Sequence, residues 1–334
     1  MSAPTLPSLP TLEDLLGPDV PRVLADCLPH TGTPHTIERI TGGNVAHVFA
    51  VRGPARRVII KIRREHFARI PALRSDPALI TRERHLLQHY HAAAPGILPR
   101  VLAFHPAAHT LVLSDVFPHQ RTYHQHLQTH NATPAQMTRL GRALRRIHRA
   151  GHNIPLPQPQ PDPRFPLYQH DFALRSLSHP TVDAALAQMA TRPGHQLIHG
   201  DLAPKNISIT PARIGLCDLD NAHHGWPLYD IGYFTAHLLI HHLSQPAQLR
   251  ALLTALLLAY QAGKPLTRAD AELTATVAAA VVLYRLGTST TPYPLDQPAP
   301  LTDHYRDQTH TLLDHGPVTF KDLLHAARTG TVHP

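Results

Sequence analysis

The most constraining feature of this sequence is a polar segment with fixed spacing in the second half of the chain. Asp201 follows a His-Gly pair and precedes Asn206 by four intervening residues, and a short apolar run then ends at Asp218. Phosphoryl transfer to an alcohol needs a carboxylate beside the acceptor hydroxyl, while Mg²⁺ is held by carboxylate and amide oxygens. The spacing therefore predicts Asp201 as a catalytic carboxylate and Asn206 and Asp218 as magnesium ligands. A polar loop with its own Asx turns is the alternative interpretation.

A lysine-bearing strand upstream is predicted to contact the phosphates of a nucleotide. Lys61 ends a β-prone Val-Ile-Ile run, and alternation along a strand turns it away from its apolar neighbours. An ammonium group there can neutralise phosphate oxygens, and it needs a carboxylate to orient it. Glu65 is too near in sequence, whereas Glu83 lies on a helix predicted over residues 77–90. We therefore predict a Lys61–Glu83 pair; a lysine that only extends from a strand end into solvent is the alternative.

Two further segments are predicted to bind the nucleotide. Gly42, Gly43 and Asn44 lie between strands ahead of the lysine, and glycines let backbone amides approach phosphate oxygens. Ser114 and Val116 lie where β-prone runs give way to helical patterns, and backbone groups of such a linker can bind adenine. Ordinary turns are the alternative at both places. The sequence contains no Walker A motif, so a P-loop enzyme is excluded.

Short β-prone runs dominate the sequence as far as residue 116, and helical periodicity dominates after it. Residues 155–166 contain many prolines and are predicted to be extended. The last 45 residues are mixed and are predicted to form one or two short helices. Predicted strands cover Thr36–Ile40, 45–51, Arg57–Ile62, Val101–His105 and 110–116, and predicted helices cover Leu12–Leu16, 77–90, 134–148, 229–243, 246–262 and 267–286.

This division predicts an α+β fold with two lobes. Residues 36–116 are expected to form a small β-rich N-lobe that binds the nucleotide. Residues 117–334 are expected to form a larger, mainly helical C-lobe with the catalytic and acceptor-binding residues. Residues 1–35 are expected to be a proline-rich N-terminal extension. A length of 334 residues is sufficient for two such lobes with a large core.

Composition narrows the class of protein. Hydrophobic residues make up 43% of the chain and charged residues 16%, which is typical of a globular protein. Two cysteines provide no disulfide framework, so we expect a cytoplasmic protein. The N-terminus lacks the basic and apolar regions of a signal peptide, and the apolar stretches are too short for a membrane span. We therefore expect no membrane partner.

The net charge of +8 is compatible with ATP or nucleic acid as a partner. A nucleic-acid-binding protein should carry a clustered basic face with interleaved aromatic residues. Here the arginines are scattered and aromatic residues make up 5%, so we expect no nucleic-acid partner. The 29 histidines are spread over the whole chain without His-Glu-x-x-His or Cys partners, which indicates compositional bias rather than a zinc site.

Three motifs stand out in the second half of the chain: H-G-D-L at 199–202 with Asn206, L-C-D at 216–218, and G-W-P-L-Y-D-I at 225–231. They resemble those of the aminoglycoside phosphotransferase and choline kinase family of small-molecule kinases. The likeness covers residues 37–240, extends loosely to the lysine strand, and leaves the C-terminal third unmatched. Trp226 departs from the family, which often has aspartate at this position. The glycine segment is similar to that of methylthioribose kinases.

The resemblance implies a protein-kinase-like fold and an enzyme that uses ATP with Mg²⁺, GTP being the alternative nucleotide. It implies the same roles for Asp201, Asn206 and Asp218 that the spacing suggests. It also implies that Asp230 is a buried structural anchor of the catalytic loop. The function expected is transfer of the γ-phosphoryl group of ATP to a hydroxyl of a small polar acceptor, such as an aminoglycoside, a sugar or an amino alcohol.

The sequence does not single out one acceptor. A cationic acceptor requires acidic side chains, and the candidates are Asp220, Asp303 and Asp307. Each of them could equally be a solvated residue. Two other functions stay open from the sequence: a nucleotide-binding pseudokinase that serves as a scaffold or sensor, and a basic nucleic-acid-binding protein.

Overall fold

The computed structural model describes residues 9–33, 36–41, 43–117, 120–152, 154–155, 172–263, 265–287 and 297–329. The fold is mixed α+β, with an antiparallel sheet in the N-terminal part and helices in the C-terminal part, so the predicted fold class is confirmed. Contacts divide the described residues into two units. The N-terminal unit lies within Met1–Gln88 and Pro99–Asp115, and the helical unit lies within His89–Leu98, Val116–Pro157 and Asp162–Pro334.

The N-terminal unit is built on a five-stranded antiparallel sheet with the order β1-β2-β3-β5-β4. All five predicted strands are present, although β2 starts two residues later and β5 ends two residues earlier than predicted. Helix α3 (Leu79–Ala93) follows β3 in sequence; it begins two residues later and ends three residues later than the predicted helix. The strands are β1 (Thr36–Ile40), β2 (His47–Arg52), β3 (Arg57–Ile62), β4 (Val101–His105) and β5 (Thr110–Ser114).

Two helices precede the sheet and pack into its core. Helix α1 (Leu12–Leu16) begins with a capping box in which Thr11 and Asp14 bind each other's backbone N–H, so its predicted position is confirmed. Helix α2 (Val20–Thr31) was not predicted, because its two prolines obscure the helical pattern. Their buried side chains share one apolar cluster with the sheet; the cluster includes Leu12, Leu16, Val23, Cys27, Phe49, Val51, Val58, Ile60, Ile62 and Val112.

The helical unit contains the remaining helices. Helix α5 starts at Pro134 as predicted and continues to Gly151, three residues beyond the prediction. The last segment forms α11 and α12, in agreement with the expected short helices. The described helices are α4 (Tyr123–Leu127), α5 (Pro134–Gly151), α6 (Phe172–Arg175), α7 (Pro180–Thr191), α8 (Leu228–His241), α9 (Leu249–Gln261), α10 (Arg268–Gly287), α11 (Ala299–Asp314) and α12 (Phe320–Thr329).

Helix α8 forms the centre of this unit, and every one of its residues is buried. It packs closely on α10 at Gly232, where a Cβ atom would lie 2.7 Å from the carbonyl oxygen of Thr274. Two short antiparallel strand pairs complete the unit. Strand β6 (Gln196–Ile198) pairs with β9 (His223–Gly225), and β7 (Ile207–Ile209) pairs with β8 (Ile214–Leu216).

Some sequence predictions fall outside the described residues. The proline-rich segment 155–166 is one of them, apart from Pro155, and Gly42 is another. Within the ranges that are described, the model contains no helix with the length and apolar character needed to cross a membrane.

Candidate active site

The loop that carries Asp201 connects β6 to β7, and Asp230 at the start of α8 holds its backbone. The carboxylate of Asp230 is fully buried and accepts the backbone N–H groups of His199 and Gly200 at 2.8 and 2.9 Å. His148 of α5 contacts the same carboxylate at 2.9 Å. Burial would raise the pKa of Asp230, but the hydrogen bond from His148 keeps this pKa below its ordinary value. The carboxylate therefore stays ionised and buried beneath the loop.

Gly200 allows this loop to pass close to the neighbouring chain. Its φ is +78°, and a Cβ atom at this position would collide with the carbonyl oxygen of Asn221. Only glycine meets both conditions without strain. The ring of His199 contacts the carbonyl oxygen of Cys217 at 2.9 Å, which ties the loop to the segment that carries Asp218. The glycine and the histidine of the motif are thus structural.

Asp201 lies between two cations of the helical unit. It is 8% exposed, and its Oδ2 lies 3.3 Å from Lys205 Nζ, while its Oδ1 lies 3.6 Å from a guanidinium nitrogen of Arg285. Burial acts to raise the pKa of Asp201, but Lys205, Arg285 and the Tyr233 hydroxyl together hold this pKa well below its usual range. Asp201 is therefore anionic and a weak base, which suits it to orient a hydroxyl group rather than to deprotonate it early.

Asn206 is oriented by the residue it follows in the motif. Its amide nitrogen donates to the backbone carbonyl of Asp201 at 3.0 Å and to the Asp201 carboxylate at 3.2 Å. Because both donor hydrogens point to Asp201, the amide oxygen remains as the atom that can bind a cation. The backbone carbonyl of Asn206 accepts the N–H of Cys217 at 3.0 Å, so the loop and the Asp218 segment are connected here as well.

Asp218 follows β8 with a backbone φ of +71°, in the left-handed region. Aspartate tolerates this conformation better than most residues, but it is still less favourable than an ordinary backbone. Such a conformation at a polar residue is common at functional sites. One amide oxygen and one carboxylate, both hard oxygen donors, fit a divalent cation of the Mg²⁺ type. Asp220, the weaker candidate, is half-buried in the turn that follows.

In the N-terminal unit, the structure contains the predicted Lys61–Glu83 pair. Lys61 Nζ lies 2.7 Å from Glu83 Oε2 and 2.9 Å from Oε1, and both side chains are buried. Strand β3 supplies the lysine, and the second turn of α3 supplies the glutamate. A buried carboxylate with two contacts fixes the direction of the lysine side chain. The ammonium group is thereby held in one position.

The other predicted nucleotide residues have mixed placements. Gly43 and Asn44 are half-buried, and the Asn44 carbonyl accepts the N–H of Arg69 at 3.1 Å. Ser114 ends β5, and its N–H and hydroxyl are both occupied by the backbone of Arg100. Val116 belongs to the helical unit, where a Cβ atom on Gly215 would lie 2.5 Å from the Val116 carbonyl oxygen. The Val116 carbonyl therefore packs directly against the backbone of Gly215.

Asp303 and Asp307 lie on α11 with exposed side chains. Both of them form ion pairs with Arg306, at 2.9 and 3.1 Å. Exposed pairs of this kind contribute little to stability. The arrangement resembles the solvated helix face that the sequence left open as an alternative to acceptor binding.

A comparison with protein-family models identifies one match. The model of the phosphotransferase enzyme family covers residues 36–266, more than half of the chain. The chain belongs to this family. The match starts where the predicted N-lobe starts, and it extends beyond the motifs that carried the resemblance to the end of α9 and the residues that follow it. A sequence search of curated proteins finds no significant match.

Solved structures with the same fold include several kinases. The microcompartment-associated aminopropanol kinase has a TM-score of 0.57 and 17% identity, over 91% of this phosphotransferase and 99% of that chain. The amicoumacin kinase hAmiN, in complex with AMP-PNP, Ca²⁺ and Ami, has a TM-score of 0.55 and 13% identity, over 91% and 95%. A choline/ethanolamine kinase family protein from Mesorhizobium loti has a TM-score of 0.55 and 17% identity, over 93% and 99%. These similarities confirm the kinase-like fold.

Four residues around the catalytic loop of this phosphotransferase were missed by the sequence reasoning. Lys205 lies inside the motif, four residues after Asp201, and its spacing alone could have indicated a contact. Tyr233 and Arg285 come from α8 and α10, and His148 comes from α5. Local patterns carry no signal for these long-range contacts, since each residue fits its helix equally well as an ordinary core or surface residue.

Proposed function

We propose that this phosphotransferase is an ATP-dependent small-molecule kinase. It transfers the γ-phosphoryl group to a hydroxyl of a small polar acceptor: an aminoglycoside, a sugar or an amino alcohol. The observation that carries the proposal is the catalytic loop, in which Asp201 and Asn206 bind each other above the buried Asp230. Support also comes from the structures of similar fold, whose names include aminopropanol and choline/ethanolamine kinases and one complex with AMP-PNP and Ca²⁺.

In this proposal, Asp201 accepts a hydrogen bond from the acceptor hydroxyl and orients its oxygen. A loose phosphoryl-transfer transition state loses the hydroxyl proton late, so a carboxylate with a low pKa is adequate. The Asn206 amide oxygen and the Asp218 carboxylate hold the divalent cation, for which we propose Mg²⁺. When bound, the cation supplies charge neutralisation for the phosphate oxygens. Asp230 keeps the loop in place and touches no reacting atom.

Lys61, held by Glu83, is proposed to neutralise phosphate oxygens of the nucleotide. The backbone of Gly42, Gly43 and Asn44 is proposed to approach the phosphates. Backbone groups of Ser114 and Val116 are proposed to bind the base, with ATP as the nucleotide and GTP as the alternative. The two contacts between Lys61 and Glu83 support the first of these roles most directly.

The acceptor is proposed to be a small molecule bound by the helical unit, with Asp220, Asp303 and Asp307 as candidate contacts. No nucleic acid or membrane partner is part of this proposal. Cys27 and Cys217 are not joined in a disulfide, which is compatible with the reducing cytoplasm that we propose as the location. Asp303→Asn with Asp307→Asn should raise the acceptor KM and leave the ATP KM unchanged if these residues bind the acceptor. An unchanged acceptor KM would assign them to the solvated face of α11.

The decisive experiment measures ADP release from MgATP in the presence of a panel of aminoglycosides, sugars, choline, ethanolamine and amino alcohols. The expected result is acceptor-dependent ADP release, with the phosphorylated acceptor identified by mass spectrometry. Tight MgATP binding without turnover of any acceptor would instead indicate a pseudokinase. Salt-dependent binding of DNA or RNA without nucleotide binding would indicate the nucleic-acid alternative.

A further inference from the structure

Arg285 is a buried cation to which the proposed function assigns no role. It lies in the last turn of α10, and 8% of its side chain is exposed. The guanidinium donates to the Tyr233 hydroxyl at 2.5 Å. It also lies over the rings of Tyr233 and Tyr284, at 5.7 and 5.4 Å from their centroids. Burying a guanidinium is costly unless a nearby anion compensates its charge, and the anion beside it is Asp201.

The two oxygens of Asp201 are held by different groups. Oδ2 accepts from the amide of Asn206 at 3.2 Å and lies 3.3 Å from Lys205 Nζ. Oδ1 is buried and lies 3.6 Å from the guanidinium of Arg285. At this distance the contact with Arg285 is a charge pair rather than a hydrogen bond. The cations on opposite sides thus leave the carboxylate little freedom to rotate.

The main chain of the catalytic loop is held by Asp230. Asp230 already binds the backbone N–H groups of His199 and Gly200 from below. Arg285 lies beside the carboxylate side chain of Asp201 and donates to the Tyr233 hydroxyl, which hydrogen-bonds the same carboxylate. The contact with Arg285 therefore acts on the orientation of the Asp201 carboxylate. Asp230 holds the backbone of the loop, and Arg285 holds this side chain.

We propose that Arg285, oriented by Tyr233, is a positioning residue that aligns the Asp201 carboxylate with the acceptor hydroxyl. The inference rests on the proposed kinase function and adds a residue to its machinery. Misplacing a reacting group by about 1 Å can cost about 10²-fold in rate. Because Asp201 is proposed to orient the acceptor hydroxyl and not to bind the nucleotide, the loss should fall on kcat while the KM for ATP stays nearly unchanged.

The kinetic test uses Arg285→Met, Arg285→Lys and the matched control Arg268→Met, an exposed arginine at the other end of α10. Transfer to the best acceptor of the panel and acceptor-free hydrolysis of MgATP are measured for each. We expect Arg285→Met to lower kcat about 10²-fold with the ATP KM within about twofold of wild type. Arg285→Lys should recover part of the loss, and Arg268→Met should match wild type. A kcat for Arg285→Met within about threefold of wild type overturns the proposal.

A double variant, Asp201→Asn with Arg285→Met, separates this inference from the proposed function. If Arg285 acts through Asp201, the double variant should be no slower than Asp201→Asn alone, and the two shifts in melting temperature should be non-additive. A wild-type protein with neither transfer nor hydrolysis refutes the proposed function. In that case the melting temperatures alone test the inference about Arg285. Non-additive shifts support a coupled Asp201–Arg285 pair, and additive shifts overturn it.

Discussion

At the residue scale, the site is organised around one carboxylate with two cationic neighbours. Lys205 and Arg285 keep Asp201 ionised although it is mostly buried. A carboxylate so stabilised is a poor proton acceptor, so its value to a phosphoryl transfer is geometric and electrostatic. Replacing the Asp201 carboxylate by an amide removes its charge and alters its hydrogen bonding with little change in shape.

We expect Asp201→Asn to keep the fold and MgATP binding and to lower turnover by about 10²-fold or more, since the acceptor hydroxyl loses its anionic partner. Steady-state kinetics and MgATP-induced shifts in melting temperature measure both effects. Asp183→Asn, an exposed aspartate on α7, is the control. Turnover of Asp201→Asn within a few-fold of wild type would remove this residue from the catalytic role.

Asp218→Ala should abolish the stabilisation that MgATP provides, because the cation loses a charged ligand. Ligand binding to the folded state raises stability by mass action, about 2.7 kcal/mol when the ligand is at 100 times its Kd. The measurement is the melting temperature with and without MgATP, with Asp183→Ala as the control. An MgATP shift in Asp218→Ala equal to that of wild type would count against a magnesium-binding role.

The sequence identified site residues that lie close together in the chain or that have few possible partners. Asp201 and Asn206 share one loop, and Glu83 was selected because the chain offers hardly any other glutamate near Lys61. Arg285 and Tyr233 were missed, since their helical context is compatible with many placements. Only the packing of α8 and α10 brings these two residues to Asp201.

At the element scale, the Lys61–Glu83 pair joins β3 to α3 within the N-terminal unit. Breaking a buried pair leaves an uncompensated charge, so either single change should be damaging. Lys61→Ala should lower kcat/KM strongly, and Glu83→Gln should lower it less. The double variant should be less damaging than the product of the two losses, because both residues act as one unit.

The measurement for this pair is kcat/KM for ATP in the two single variants and the double variant. Lys321→Ala, an exposed lysine on α12, is the matched control and should behave as wild type. Losses that multiply fully in the double variant would show that Lys61 and Glu83 work independently.

Elements with a regular apolar period were predictable, whereas helix α2, which contains two prolines, was not. The five strands and the helices α5, α8, α9 and α10 lie within a few residues of their predicted positions. Helix α2 was missed because Pro21 and Pro29 suggest an irregular segment, although proline is well tolerated in the first turn. Its role in the core depends on the sheet against which it packs, which no local pattern reveals.

At the scale of the whole molecule, histidines are distributed through both units, and several of them are buried as neutral rings. Burial, with His124 and His242 nearby, lowers the pKa of His241 to about 3. Burial, with Arg39 and Arg64 nearby, lowers the pKa of His47 to about 4. An unfolded histidine titrates near 6.5. At pH values between the folded-state pKa and about 6.5, the unfolded state therefore binds more protons than the folded state.

The free energy of unfolding should therefore fall as pH is lowered from about 6.5 towards about 4, by up to about 1.4 kcal/mol per pH unit for each such histidine. Urea denaturation at pH 7.5, 6.5 and 5.5 measures this slope. His241→Gln should reduce the slope, and the exposed control His91→Gln should not. A slope that is identical in His241→Gln and wild type would contradict the assignment.

The helices that precede the sheet matter for anyone who wishes to produce a shorter version of this protein. The family match spans residues 36–266, yet the end of α2 binds the β2–β3 turn through the Thr31 carbonyl and the Ala55 N–H at 3.1 Å. A recombinant fragment trimmed to the family boundaries would strip Leu12, Val23 and their neighbours from the sheet and leave an apolar face in water. Such a fragment should aggregate, so truncation, tag removal and fusion junctions are best kept ahead of α1.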